Sequence, residues 1–190
     1  VAVFHRTTLD GVDDIDQICS TGDDGRIYVL QSQIDLGTGT RFGTVLDLNS
    51  YEYNRWDGDF KKIFSNYETV ALLRVDGSVE CPMDAYDEFR NINNVKEIFS
   101  NKYAFAALKN DGSVVTWGNN NYGGDCGDCG DLTDVTQIFS TESSFAALKS
   151  NSSVVTWGSI ITSYYITTYL LKGVTKIFST KDAYAGLKDN

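Results

Sequence analysis

The chain predicts an all-β fold, a propeller-like array of about five short antiparallel blades, with an open β-solenoid as the alternative arrangement. Three observations lead there. One unit recurs: Val95–Trp117 returns nearly unchanged as Val135–Trp157, in looser form over Phe60–Val79 and in part over Val174–Asn190. A repeat of this length sets the architecture before any single residue is interpreted. Each copy is made of short apolar runs such as Tyr103–Leu108 and Val114–Trp117, too brief for ordinary helices and rich in β-branched and aromatic side chains. Between the runs stand turn residues, Asn110-Asp111-Gly112-Ser113 above all, where Asp-Gly tolerates the positive φ of a reversing strand.

An isoleucine marks each copy: Ile18, Ile63, Ile98, Ile138 and Ile177 stand 45, 35, 40 and 39 residues apart. From the second copy on, an apolar residue precedes it by three positions (Phe60, Val95, Val135, Val174), and a leucine follows ten later (Leu73, Leu108, Leu148, Leu187). Three or four short strands fit this period. So small a sheet cannot bury both of its faces, and stacking copies face to face supplies the missing core.

Taken in order, residues 1–9 form a terminal strand whose apolar part is Val1-Ala2-Val3-Phe4, and residues 10–58 a diverged first blade. There Asp23-Asp24-Gly25-Arg26-Ile27-Tyr28-Val29 echoes the Asp-Gly hairpin of the repeat. Residues 59–93, 94–133 and 134–172 are repeat blades, and 173–190 an incomplete last one. Asn190 stands where Asp111 stands in the best copy, so the last blade lacks its returning strand, and Val1, Ala2, Val3 and Phe4 resemble that strand in character. Donated to the chain's own last blade they would close a ring. Donated to a neighbour's blade they would build a polymer by strand exchange. A cut from a longer array would also leave both ends incomplete. The chain shows neither an initiating methionine nor a signal peptide, which suggests a processed product or a segment of something larger.

The motif Ala107-Leu108-x-x-Asp111-Gly112-x-Val114-x-x-Trp117-Gly118-x-Asn120-x-x-Gly123, with Val135-x-x-Ile138 and Ala147-Leu148 in the next copy, resembles the blade motif of the regulator of chromosome condensation (RCC1-like) β-propellers. The resemblance covers roughly residues 60–190 and implies the blade fold. Departures accompany it. Where that family usually places Gly and, three residues later, His, this chain has Asn66 and Thr69, Asn101 and Ala104, Thr141 and Ser144, Thr180 and Ala183. Its Gly-Gln-Leu-Gly ending is Gly123-Gly124-Asp125-Cys126 here, and its propellers usually have seven longer blades. The nucleotide-exchange and chromatin roles of the family find no matching residues.

Composition narrows the function. A formal charge of −10, from 26 acidic and 16 basic residues, disfavours a nucleic-acid partner because phosphate is repelled. No apolar run approaches the roughly 18 residues of a membrane span. Four cysteines in an acidic chain rich in Tyr, Thr and Ser fit an extracellular or cell-surface setting with disulfides. Cys126 and Cys129 are spaced for a small local ring, which leaves Cys19 and Cys81 as a long-range pair. A zinc site using all four is disfavoured because only one pair has ligand spacing.

No catalytic residue, metal or cofactor is expected. His5 is the single histidine, in a terminal strand with no nucleophile elbow nearby. Asp125, Asp128, Asp131 and Asp134, and the cluster Asp10, Asp13, Asp14 and Asp16, lack the alternating pattern of a calcium loop and read as solvated turns. Trp117, Trp157, Tyr103, Phe105 and Phe145 recur at fixed repeat positions, which suits packing between blades better than a sugar platform. Asn151-Ser152-Ser153 is the one glycosylation sequon, and it occupies the hairpin turn held by Asp111-Gly112-Ser113 one copy earlier, so Asn151 should be exposed. The expected role is an extracellular structural or adhesive protein, a surface or filament building block whose partner is itself. The alternative is a propeller module that recognises a glycan or a surface protein through its loop face.

Overall fold

The computed structural model describes residues 15–22, 25–34, 41–47, 55–81, 92–127, 132–159 and 172–189. Within them the chain forms five antiparallel sheets, each a consecutive stretch of sequence. The first holds β1 (Ile15–Ser20), β2 (Ile27–Ile34), β3 (Arg41–Asp47) and β4 (Arg55–Gly58). The second holds β5 (Phe60–Ser65), β6 (Val70–Arg74) and β7 (Val79–Glu80). The third holds β8 (Val95–Ser100), β9 (Ala104–Lys109) and β10 (Val114–Gly118), the fourth β11 (Val135–Ser140), β12 (Ser144–Lys149) and β13 (Val154–Gly158). In the fifth, β14 (Val174–Ser179) pairs with β15 (Tyr184–Lys188). A 3-10 turn at Asn120–Tyr122 follows β10. The fold is all-β, built of propeller-like blades.

A spacing of three would send Val95 and Ile98 to opposite faces of a regular strand. Both are buried, because the pairing of β8 with β9 slips between Val95 and Glu97. The same β-bulge recurs in β1, β5, β11 and β14, one inserted residue that turns a period-three pattern into a single buried face.

The second strand of each internal blade is buried on both sides, which explains its nearly unbroken apolar run. Ala104, Ala106 and Leu108 face the fourth sheet and pack with Val135, Ile138, Phe145, Ala147 and Trp157. Phe105 and Ala107 face the second sheet and pack with Ala71, Leu73, Val79, Ile98 and Trp117. Equivalent cores join the first sheet to the second (Tyr28, Leu30 and Val45 with Phe60, Ile63 and Leu72) and the fourth to the fifth (Ala146 and Leu148 with Val174 and Ile177). Alanine recurs here because two sheets close on one strand and leave little depth.

Backbone hydrogen bonds tie the blades along two rims. At the hairpin rim, the amides of Val95, Val135 and Val174 donate to the carbonyls of Gly77, Gly112 and Ser152 in the preceding blade, each at 2.9 Å. At the opposite rim the turns after each first strand form a ladder: Gly22 N–H to Tyr67 C=O (3.0 Å), Tyr67 to Lys102 (2.8 Å), Lys102 to Glu142 (3.0 Å) and Glu142 to Lys181 (2.7 Å).

Two expectations change. In sequence the Asp23–Val29 stretch echoes the Asp-Gly hairpin of the repeat, which precedes a third strand, yet Gly22 belongs to the ladder of first turns, and Ile27–Ile34 is the second strand. Register decides this, since Ile18 pairs with Val29 as Ile98 pairs with Ala107. Cys19 and Cys81 keep their thiols, so the long-range disulfide is not formed. Cys19 packs into the core between the first two sheets and Cys81 into the core between the second and third, with the second sheet standing between them.

Candidate functional site

The first-turn rim concentrates chemistry-bearing side chains that the repeat brings into line. The turns of the second to fifth sheets are each closed by a side-chain oxygen at the head. Asn66 Oδ1 accepts from the amides of Glu68 and Thr69, both at 2.8 Å, and Asn101 Oδ1 from those of Tyr103 (3.1 Å) and Ala104 (2.8 Å). Thr141 Oγ1 accepts from Ser144 N–H at 3.1 Å, and Thr180 Oγ1 from Ala183 N–H at 3.2 Å. Asn and Thr therefore close these turns through their own side chains, as short polar residues do at reversals. Asn101 also donates through Nδ2 to Tyr122 C=O at 2.6 Å, binding the 3-10 turn to the rim.

On this scaffold Tyr67, Tyr103 and Tyr122 form an edge-to-face series, with ring centroids 5.5 and 4.6 Å apart. The Lys102 ammonium lies 5.2 Å from the Tyr67 ring and 5.3 Å from the Tyr103 ring, within cation–π range. It also reaches Glu142 at 3.3 Å, and Glu142 reaches Lys181 at 2.9 Å. The bonds to Lys181 and then Lys102 hold the Glu142 carboxyl below the ordinary carboxylate range, and the bonds to Glu142 raise both lysines. Tyr103 is thus a half-buried rim residue, a correction to its expected place in the core. Phe105 with Trp117 and Phe145 with Trp157 are buried stacks within the inter-blade cores.

A second feature lies at the two ends of the array. Phe64, Phe99 and Phe139, each one residue past the marker isoleucine, pack against the following sheet. Phe178 at the same position is 51% exposed, and Leu187 is 53% exposed where Leu73, Leu108 and Leu148 are buried. At the other end Ile15 is 38% and Ile18 57% exposed, against 4% and 2% for Val95 and Ile98.

The remaining sequence candidates scatter. Asn151 is exposed at its hairpin tip, where its Oδ1 accepts from the amide (3.0 Å) and hydroxyl (2.6 Å) of Ser153. Cys126 is disulfide-bonded. Cys129, His5 and Val1–Phe4 lie outside the described residues, as do Asp10, Asp13, Asp14, Asp128 and Asp131. Among the described residues no group of three or more His, Cys, Asp or Glu could hold a metal ion, and no helix is long and apolar enough to cross a membrane. Sequence reasoning missed the rim series: Tyr67, Lys102, Glu142 and Lys181 share one repeat position, directly after Asn66, Asn101, Thr141 and Thr180, but that these positions line up along one rim is not written in the repeat itself.

Residues 95–123 match the family model described as the regulator of chromosome condensation (RCC1) repeat. Among solved structures the chain is similar to yeast RCC1 (Prp20), seen with Kap60 bound, at 15% identity and a TM-score of 0.45, over 76% of this chain and 42% of that one. It is also similar to HIRA(644–1017), at 8% identity and a TM-score of 0.41, over 74% of this chain and 51% of that one. The chain therefore spans about half the length of these structures or less. Among curated proteins nothing matches it. The recurring blade of this chain resembles the RCC1 repeat, and residues 95–123 carry that resemblance.

Proposed function

We propose that this chain is a non-catalytic structural or adhesive protein of the cell surface or extracellular space, a building block that associates with copies of itself. The observation that carries the reading is the fifth sheet. Among the described residues it has two strands, and the apolar positions that every internal blade buries are open on it. Exposed apolar sheet faces and open edges are what association interfaces are made from. The exposed sequon at Asn151 and the disulfide at Cys126 support an oxidising, glycosylating compartment. Strand exchange through Val1–Phe4 is the first route to association, and deleting those four residues tests it. Sedimentation of the deleted chain should show monomers where the full chain shows larger species; an unchanged distribution counts against strand exchange.

The rim favours a second reading, a module that binds a protein or glycan. Tyr67, Tyr103, Tyr122 and Lys102 offer aromatic surface beside a cation, a composition common at binding hot spots. Replacing Tyr67 and Tyr103 together by alanine should abolish capture of a glycan or protein ligand and leave self-association intact.

A further inference from the structure

We propose that the exposed face of the fifth sheet is the docking site for the exposed face of the first sheet of a second copy of this chain, so that copies stack head to tail as blades stack within one copy. This inference rests on the self-association reading and names its surfaces. It calls for face-to-face stacking, whether or not a strand is exchanged.

The apolar pattern comes first. At the three internal interfaces between the second and fifth sheets, one side is always built from Phe, Ala and Leu at the same repeat positions: Phe64, Ala71 and Leu73; Phe99, Ala106 and Leu108; Phe139, Ala146 and Leu148. The fifth sheet repeats the set as Phe178, Ala185 and Leu187, all exposed. The receiving side is headed by an aliphatic pair three residues apart, Val95 and Ile98, Val135 and Ile138, or Val174 and Ile177. In the first sheet that pair is Ile15 and Ile18, also exposed. The molecule thus carries one uncovered copy of each half of an interface that it forms repeatedly inside itself. Both halves are open in the same molecule, so its own two ends do not cover one another.

The rim ladder points to the same partner. Each amide donates to the carbonyl of the next turn, from Gly22 through Tyr67, Lys102 and Glu142 to Lys181. Among the described residues, Lys181 N–H has no backbone acceptor and Gly22 C=O has no backbone donor. A second copy placed one blade further on would bring its Gly22 carbonyl to Lys181 and continue the ladder.

Charge agrees as well. In the sequence, residues 10–24, which include the first strand, contain six aspartates and no basic residue, whereas residues 172–188, which include the last two strands, contain four lysines and one aspartate. Opposite fields favour a head-to-tail encounter and oppose pairing of like ends. Because the two surfaces differ, each added copy leaves one of each free, and the product is an open filament unless the rotation closes a ring.

The test uses the full 190-residue chain and two variants with substitutions at exposed positions, Ile18→Asp on the leading face and Phe178→Asp with Leu187→Asp on the trailing face. Sedimentation velocity of the unaltered chain should show species that grow in monomer steps with concentration and shrink as salt is raised. Each variant alone should be monomeric, with circular dichroism and melting unchanged. Mixed in equal amounts they should form a dimer and nothing larger, since one intact face of each kind remains. Each of these results would overturn the proposal: assemblies that persist in both variants, a mixture that stays monomeric, loss of assembly in the trailing variant alone (that face pairing with itself), or an unaltered chain that is monomeric with Phe178 protected by its own polypeptide. Assembly lost on deleting Val1–Phe4 but kept in both face variants would remove this docking and leave the self-association reading standing. An unaltered chain that is monomeric throughout, with both faces open, removes both.

Discussion

Ser152 holds a φ of 63° at the turn position where the neighbouring repeats place Gly77 and Gly112, at 83° and 81°. A side chain in the left-handed region costs roughly 1–2 kcal/mol, and the added freedom of an unfolded glycine offsets part of that. Ser152→Gly should therefore stabilise the fold by about 0.5–1 kcal/mol, read as a higher urea midpoint, while leaving the Asn151 sequon intact. Cys19 shows a different local effect. Burial pushes its thiol up to about 11 despite a hydrogen bond with Ser65, so little reactive thiolate exists near neutrality. Alkylation of Cys19 at pH 8 should be on the order of 100-fold slower in the native protein than in denaturant, a ratio that mass spectrometry of the labelled peptide measures directly; equal rates would mean that the thiol is not shielded.

At the scale of the blade, each inter-sheet core depends on a few large residues. Trp117 is 2% exposed and stacks on Phe105 at 5.2 Å in the core between the second and third sheets. Trp117→Ala should cost about 3–5 kcal/mol, and because repeat arrays are coupled mainly to nearest neighbours, faster hydrogen exchange should concentrate in β5–β10. The hairpin turns add a pH signature. Hydrogen bonds from Ser78 and Ser113 hold the Asp76 and Asp111 carboxyls below their ordinary values. A depressed folded-state pKa contributes stability that is present above the unfolded value, near 4, and is lost as pH falls through the folded one. The third turn has Asn151 bonded to Ser153 in the same way, and Asn does not titrate. Acidification below about pH 4 should move the amide resonances of Ser78 and Ser113 and leave Ser153 in place.

Across the whole molecule, Glu142 joins three consecutive blades by bonding Lys102 and Lys181. Its carboxyl is held below the ordinary 4.5 and the lysines above the ordinary 10.5, so the link is intact throughout the range between those values: acid breaks it only as pH falls through the depressed value of Glu142, and base only as pH rises through the raised values of the lysines. Exposed pairs contribute little to global stability. Glu142→Gln should therefore leave the melting temperature nearly unchanged while speeding hydrogen exchange in β14 and β15, which contribute one side of a single inter-sheet core. Identical exchange in the two proteins would show that the backbone ladder alone holds the last blade.

Strands, turns and repeat period were legible in the sequence because each is decided within about ten residues: apolar runs too short for helices, Asp-Gly at the reversals, and a marker isoleucine in every copy. The paired landmarks three residues apart were visible too, but the β-bulge that lets both point inward shows only once β8 is registered against β9. Three features were decided by the tertiary structure alone: the alignment of Tyr67, Tyr103 and Lys102 on one rim, the separation of Cys19 from Cys81 by the second sheet, and the exposure of Phe178 and Ile18 at the two ends. A residue's type says what it can bury or bond. Whether a neighbour stands there to be bonded depends on which blade lies beside it, and that is a property of the stacked array.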